Sequence, residues 1–200
     1  FESDKHVDAK DRAVESQEGI SIWNTYYYVP TEPQVSTGEM TTLYSANCEP
    51  IAQVPASYSD SACIEGTGRL KDGRVVNYAS VCNCGRTCPE PSGVKICWSV
   101  VDGDRFPWGK GARNNPLVPM RSIAIDRNVI PLGSTVYIPR WAGIQLPSMD
   151  GFQGFVHDGC FRADDVGSAI TGRHIDIFTG PTSVYRHLNR LIPTRTNMTA

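Results

Sequence analysis

Three aspartates in the last third of the chain have the residue type and the neighbours needed for acid–base chemistry. Asp126 ends the run RSIAID, Asp165 ends FRADD, and Asp176 lies inside the apolar run HIDIF. A carboxyl group between isoleucines loses hydration and a nearby carboxylate repels its charge, so both effects raise its pKa. A carboxylic acid that stays protonated near neutral pH can donate its proton to a leaving oxygen. These aspartates are therefore candidate catalytic residues, and Asp176 leads.

Short β-prone runs must position these aspartates. The runs, separated by Gly, Pro, Asn and Ser, are NTYYYV, TTLY, RVVNYASV, KICWSVV, RSIAI, STVYIP, GFVHD and HIDIF. In the last run, strand alternation places His174, Asp176 and Phe178 on one face and Ile175 and Ile177 on the other. We expect the face with the acid to line a cleft and the isoleucines to supply the core.

The remaining pattern predicts a mainly β fold in a single domain. Only the segment after Pro181, TSVYRHLNRLI, has helical spacing, with Val184, Leu188 and Leu191 on one side. Many short strands with one late helix are typical of a closed β-barrel or sandwich. Residues 1–20 are polar and charged without apolar periodicity, so we expect a flexible polar leader before a domain over residues 21–200.

Charge and hydropathy exclude two classes of partner. The chain has 19 basic and 21 acidic residues and a formal net charge of −2, so it has no general attraction for nucleic acid. No apolar run reaches the roughly 18 residues of a membrane span. We expect no nucleic-acid partner, no membrane span and a monomer.

Six of the seven cysteines lie between Cys48 and Cys97, in a Cys-rich insertion at about residues 45–100. This clustering predicts three disulfides, mostly within that segment, and a secreted or cell-envelope protein. Cys160 is the candidate for an unpaired thiol. The alternative is a zinc site made by Cys82, Cys84, Cys88 and Cys97. Because the paired C-x-x-C spacing of structural zinc sites is missing, we favour the disulfides and expect neither a metal nor a cofactor.

Three blocks of the sequence closely resemble the three-aspartate, or 3D, domain and the C-terminal part of the membrane-bound lytic transglycosylase A family. The blocks are SIAIDRNVIPLGSTVYI, DVGSAITG and HIDIFTG. They correspond to the family's S-I-A-V-D with I-P-L-G, its D-x-G-G-A-I-K-G, and its strand with an aspartate. Ser168 stands in place of the second Gly and Thr171 in place of the Lys, which removes a charge that could steer a glycan.

This resemblance implies a six-stranded double-psi β-barrel, to which the sequence itself adds long disulfide-rich loops and a short C-terminal helix. It implies a lytic transglycosylase that breaks the β-1,4 bond between N-acetylmuramic acid and N-acetylglucosamine in peptidoglycan, or a related β-1,4-linked amino-sugar polysaccharide. Asp176 would be the catalytic acid and base, with Asp165 and Asp126 as neighbours. For Asp126, a structural role at a turn is the stronger interpretation.

Seven further residues are expected to bind the substrate. They are Tyr27, Trp108, Asp158, Gly167, Ser168, Thr171 and His174. Two other functions stay open. One is a secreted barrel glycoside hydrolase acting on chitin or β-glucan, with Asp126 or Asp165 as the base, and a carboxyl separation with room for a water would favour it. The other is a non-catalytic cell-wall-binding or inhibitor module.

Overall fold

A computed structural model describes residues 19–90 and 92–200. The helices and strands are β1 (Ser21–Val29), β2 (Met40–Tyr44), β3 (Pro50–Pro55), α1 (Ala56–Glu65), β4 (Thr67–Arg69), β5 (Val75–Val81), β6 (Ile96–Val101), β7 (Ser122–Ala124), β8 (Thr135–Tyr137), a 3-10 helix (Pro139–Trp141), β9 (Cys160–Asp165), β10 (His174–Pro181), α2 (Thr182–Leu191) and β11 (Asn197–Thr199). Most of the predicted leader lies outside the described residues. Ile20, at its end, exchanges two backbone hydrogen bonds with Ala200 and so extends the pairing of β1 with β11.

Six strands form one sheet, in the order β11, β1, β10, β7, β9, β8. Two parallel pairs, β1 with β10 and β7 with β9, flank the antiparallel pair of β10 with β7. The outer strands β11 and β8 are both antiparallel to their neighbours. The sequence of pairings is therefore the same from either edge, and β10 and β7 lie at the centre of the sheet.

The mainly β fold is confirmed, whereas closure of the six strands into a barrel is not. Within residues 19–90 and 92–200, no ladder joins β8 to β11, so these two strands are the edges of the sheet. Both are only three residues long. Strands of that length offer few backbone groups for a closing ladder.

The main core is formed by residues of the sheet, of α2 and of the segments between the strands. Ile175 and Ile177 of β10 pack there with Val184 and Leu188 of α2. Strand alternation in HIDIF and helical spacing after Pro181 both predict this. Leu191, expected on the same side of the helix, is 49% exposed, and Ile192 is buried instead. The helix is confirmed, but it is not the last element, because β11 follows it.

The Cys-rich region forms a second body of structure from β2 to β6, with its own small core around Trp98. Its disulfides are Cys48–Cys84, Cys63–Cys88 and Cys82–Cys97, which confirms the predicted three and leaves Cys160 free. All four cysteines of the zinc alternative are therefore oxidised, and a disulfide sulfur is not the thiolate that zinc binds.

The sequence did not reveal α1, β3, β4, β9 and β11. The helix α1 was missed because its buried residues are Ala56, Tyr58, Ser59 and Ala62, which give no apolar stripe. The run GFVHD is not a strand, since its backbone pairs with the loop at residues 143–146 through isolated hydrogen bonds. The strand lies at Cys160–Asp165 instead. Its polar residues give no apolar run, so its sequence does not indicate a strand. No helix in the described part of the chain is long and apolar enough to cross a membrane.

Candidate active site

Asp176 lies at the centre of the six-stranded sheet, on the face opposite the main core. In the strand register it is paired with Thr25 of β1 on one side and with Ala124 of β7 on the other. Ala124 is paired in turn with Asp165 of β9. The two aspartates thus flank one alanine, two strand spacings or about 10 Å apart at Cα.

A β-bulge in β9 selects which aspartate reaches this position. Ile123 is paired with Ala163 and Ala124 with Asp165, so Asp164 is the extra residue. Asp164 is buried elsewhere, where it accepts hydrogen bonds from Ser122 and Arg162, both at 2.5 Å. The sequence DD alone does not reveal this division of roles.

The Asp176 carboxyl group has an environment suited to holding a proton. Its Oδ1 accepts a hydrogen bond of 2.7 Å from the Thr25 hydroxyl. Burial raises the pKa of Asp176 to about 7; the Thr25 bond opposes this rise and the charge of Asp165 adds to it. Near neutral pH the group therefore populates both its acid and its base form.

Asp165 is held by two donors. Its Oδ1 accepts the Val166 backbone N–H at 2.9 Å, and its Oδ2 accepts the Tyr27 hydroxyl at 3.3 Å. Burial raises the pKa of Asp165 to about 6, against the effect of these bonds. Burial and the charges of Asp165 and Asp176 raise the pKa of Tyr27 well above its usual range, so Tyr27 stays a neutral donor. At neutral pH Asp165 is mostly ionised.

Thr25 and His174 extend the site along β1 and β10. His174 Nε2 lies 2.7 Å from Thr25 Oγ1, and its ring stacks on Trp23 with centroids 3.7 Å apart. Burial, together with the charge of Arg195, lowers the pKa of His174, which keeps the imidazole neutral. Sequence reasoning missed Thr25, although alternation with Tyr27 within the run NTYYYV could have placed both on one face.

Glu65 is a further acidic group that the sequence did not reveal. It is the last residue of α1, in the Cys-rich region, and its Oε2 accepts the Tyr28 backbone N–H at 3.0 Å. Burial raises the pKa of Glu65 to about 8, and the charge of Asp176 contributes to the rise. The Cys-rich region therefore brings a carboxyl group within electrostatic reach of Asp176.

The two aromatic candidates differ in what they can offer a sugar. Tyr27 is 8% exposed, and its ring packs on Phe178 with centroids 4.9 Å apart. It acts on Asp165 and presents no open face. Trp108 is half-buried against the same apolar cluster, and the Arg69 guanidinium lies 5.0 Å from its ring centroid. Trp108 packs against the apolar cluster that contains Tyr27 and Phe178, and stacking on a sugar stays a prediction.

Asp126 and the 167–172 turn form a separate group. Asp126 accepts the backbone N–H groups of Asn128 at 2.9 Å and Gly172 at 2.7 Å, and these bonds lower its pKa. It thus ties two turns together, in agreement with the structural interpretation. An open depression of about 400 Å³ beside it is lined by Ile125, Asp126, Arg127, Asn128, Val166, Gly167, Ser168, Ile170 and Thr171. The depression includes neither Asp165 nor Asp176.

Asp158 lies away from this site. It precedes β9, whereas Asp165 ends that strand, so the two lie at opposite ends. Its carboxylate accepts hydrogen bonds from Arg121 and from the Cys160 backbone N–H, and it is mostly exposed. A strand of six residues spans about 20 Å, which separates Asp158 from the two central aspartates and leaves it out of the site.

The family model of the 3D domain matches residues 121–188. This stretch is similar to a 3D domain and makes up 68 of the 200 residues. The matched stretch carries all three predicted aspartates and the strands β7, β9 and β10, but Thr25, Tyr27 and Glu65 lie outside it. The candidate site is therefore completed by parts of the chain that precede the matched stretch.

Known proteins extend the similarity. Over 74 residues the chain is 39% identical to the membrane-bound lytic murein transglycosylase A of Escherichia coli strain K12, and equally to that of strain O157:H7. The matched stretch is 36% of this chain and 19% of each enzyme, so the chain spans about a fifth of the length of these relatives. Its function is therefore a matter of proposal.

The crystal structure of E. coli MltA with bound chitohexaose has the same fold, with a TM-score of 0.57 at 20% identity. The superposition covers 84% of this chain and 68% of that one. This share is too large to leave out the whole Cys-rich region. The likeness of fold thus extends beyond the stretch that is similar to a 3D domain.

Proposed function

We propose that this chain is a lytic transglycosylase that cleaves the β-1,4 bond between N-acetylmuramic acid and N-acetylglucosamine in peptidoglycan. The observation that carries the proposal is the carboxyl group of Asp176, half-buried at the centre of the sheet with a pKa of about 7. One group that populates both forms can serve as acid and then as base. Similarity to the E. coli lytic murein transglycosylase A supports this choice of reaction.

The proposed reaction needs one carboxyl group. Protonated Asp176 gives its proton to the glycosidic oxygen as the bond to the anomeric carbon of N-acetylmuramic acid breaks. The C6 hydroxyl of the same sugar then attacks that carbon, and the Asp176 carboxylate takes the hydroxyl proton. The products are a free 4-hydroxyl on N-acetylglucosamine and a 1,6-anhydro ring, and Asp176 is protonated again. No water is consumed.

Asp165 has a supporting role in this scheme. Since it is mostly ionised at neutral pH, its charge raises the pKa of Asp176 and so keeps the catalytic proton available. The same negative charge stabilises the positive charge that develops at the anomeric centre. Tyr27 and the Val166 N–H fix the direction of its carboxylate.

We also propose where the chain acts, which substrate it takes and which type of sheet it has. Three disulfides favour an oxidising compartment, which agrees with a secreted or cell-envelope enzyme. The chitohexaose bound to E. coli MltA supports a β-1,4-linked amino-sugar polysaccharide as substrate. The symmetric order of parallel and antiparallel pairs supports a sheet of the double-psi barrel type, and we expect a monomer.

A glycoside hydrolase is the second candidate, and Asp165 favours it. An ionised carboxylate about two strand spacings from the acid could act as the base that activates a water. The hydrolase product would end in a reducing sugar. The transglycosylase product would be lighter by one water.

Mass spectrometry of the fragments released from purified peptidoglycan tests the proposal. Fragments that end in 1,6-anhydro-N-acetylmuramic acid are the expected result. Reducing-end fragments would keep the site but convert the reaction to hydrolysis. Binding of cell walls without any released fragment would overturn the proposal in favour of a non-catalytic module.

A further inference from the structure

One hydroxyl group links the protonation of two side chains. Thr25 Oγ1 lies 2.7 Å from both Asp176 Oδ1 and His174 Nε2. A hydroxyl has a single proton to donate and otherwise accepts. If Thr25 donates to Asp176, then Nε2 of His174 must donate to Thr25. If Thr25 donates to His174, then Oδ1 of Asp176 must carry a proton and donate it to Thr25.

Only the first arrangement suits a catalytic acid. Oδ1 of Asp176 faces Thr25, whereas Oδ2 has no hydrogen-bond partner among residues 19–90 and 92–200. A proton on Oδ1 points at Thr25, but a proton on Oδ2 is free to leave. Placing the proton on Oδ2 requires Thr25 to donate to Oδ1, and that requires a proton on Nε2 of His174.

We propose that His174 is a positioning residue that acts on Asp176 through Thr25. Its Nε2–H tautomer turns the Thr25 hydroxyl toward Asp176 Oδ1 and so places the transferable proton on Oδ2. The role of that proton rests on the proposed function. The assignment replaces the expectation that His174 binds the substrate.

The surroundings of His174 fit this role. The side chain is only 7% exposed, and Trp23 covers its ring at an interplanar angle of 9°. The lowered pKa of the imidazole means that it carries a single N–H, so one tautomer excludes the other. In the competing tautomer, Nδ1 would donate to the Ala169 carbonyl oxygen at 3.4 Å, a longer contact than either bond to Thr25.

Other charged groups influence how readily Asp176 ionises but do not decide which oxygen is protonated. Asp165 of β9 lies across Ala124 from Asp176, and Tyr27 of β1 is close to both aspartates. Glu65 approaches from α1, and Arg195, which follows α2, acts on His174. None of these donates a hydrogen bond to the Asp176 carboxyl, so the choice between Oδ1 and Oδ2 falls to Thr25 among the described residues.

The tautomer can be observed directly in the wild-type protein without substrate. Nitrogen-15 NMR distinguishes a protonated Nε2 from a protonated Nδ1 in the His174 ring. We expect Nε2–H as the major form at pH 7. A major Nδ1–H form would overturn the proposal, and because no turnover is involved, this result is independent of the proposed function.

A double-mutant cycle tests whether His174 acts through Thr25. The variants are Thr25→Val, His174→Phe and the double variant, with Thr135→Val and His187→Phe as matched controls on β8 and α2. The Thr25 bond lowers the pKa of Asp176, so Thr25→Val should raise that pKa, as followed by carbon-13 NMR of the carboxyl. His174→Phe should raise it less. In the Thr25→Val background, His174→Phe should change it no further.

The same double-mutant cycle is then measured through kcat and KM with peptidoglycan as the substrate. Thr25→Val and His174→Phe should each lower kcat roughly 10- to 100-fold with little change in KM. The double variant should be no slower than Thr25→Val. His174→Gln, which can still donate from the Nε2 position, should recover most of the rate. Additive losses, or a loss confined to KM, would show that His174 contacts the substrate and would overturn the proposal.

Discussion

The two regions of the molecule keep their shape by different means. Among the described residues, nineteen buried side chains from the six-stranded sheet, α2 and the segments around them form the main core, and no disulfide lies in this region. In its described residues, the Cys-rich region has nine buried residues in its main core and carries the three disulfides. A small core stabilises a fold only weakly, so the Cys-rich region depends on its disulfides for part of its stability.

The difference also divides the chemistry. The sheet region holds Asp176, Asp165, Thr25 and His174 on adjacent strands, where register fixes their separations. The Cys-rich region contributes Glu65 from the end of a helix. The sheet thus holds the proposed reacting groups, and the disulfide-linked region adds one buried carboxyl group.

The largest expected effect belongs to Asp176→Asn. The variant keeps the acceptor for Thr25 but cannot transfer a proton, so turnover of peptidoglycan should fall about 10²- to 10⁴-fold. Asp158→Asn, at the far end of β9, is the matched control and should keep wild-type turnover. Wild-type activity in Asp176→Asn would remove the sheet region from the chemistry altogether.

Stability of the same variant checks the raised pKa. A group whose pKa is higher in the folded state loses its stabilising contribution as pH rises through that value, here about 7. Wild-type protein should therefore lose on the order of 2 kcal/mol of unfolding free energy between pH 5 and pH 8 that Asp176→Asn retains. Parallel curves from urea titrations would contradict the assigned pKa.

Reduction of the disulfides should affect the two regions unequally. Each native disulfide of a small exported fold contributes about 2–5 kcal/mol, so a reductant should lower the melting temperature markedly. Fluorine-19 NMR of labelled tryptophans separates the regions, because Trp98 lies in the Cys-rich core and Trp141 in the sheet core. The Trp98 signal should broaden at a lower temperature than that of Trp141. Simultaneous loss of both would mean one cooperative unit.

Asp165→Asn should have a smaller effect: a lower kcat, because a charge that stabilises the developing anomeric centre is lost, and a changed pH dependence. The charge of Asp165 raises the pKa of Asp176, so its removal lowers that pKa. Because activity requires protonated Asp176, the alkaline limb of the kcat/KM profile should move to lower pH, while measurable turnover remains. An unchanged profile would mean that the two carboxyl groups do not interact across Ala124.

Asp126→Asn should have the smallest effect. Its carboxylate accepts two backbone N–H groups, and an asparagine oxygen can replace only part of that role. We expect a slight fall in melting temperature and turnover within a few-fold of wild type. A loss comparable to that of Asp176→Asn would place Asp126 in the reaction.

Local patterns predicted the parts of the site that depend on one strand. Alternation in HIDIF placed Asp176 opposite two core isoleucines, and the acid between them pointed to a raised pKa. Thr25 escaped notice because its importance depends on the register of β1 with β10, which no local pattern reports. Glu65 lies in a segment whose pattern revealed neither α1 nor its approach to Asp176.

Fold prediction failed where polar residues occupy structured positions. The strand β9 contains Arg162, Asp164 and Asp165 among its six residues, so its alternation reads as a loop. Its bulge places Asp165 in the site, as the block DVGSAITG indicates, whereas the buried contacts of Asp164 with Ser122 and Arg162 are visible only in the structure. The disulfide pairing was likewise open, because spacing alone does not fix connectivity.

The parallel pairing of β1 with β10 has a consequence for how the protein acquires its activity. Thr25 and Asp176 are separated by 151 positions in sequence. Contacts between such distant residues form late, since the intervening chain must first be ordered. The proposed activity therefore requires β1 and β10 to have paired, so it depends on two stretches of chain that lie far apart in the sequence.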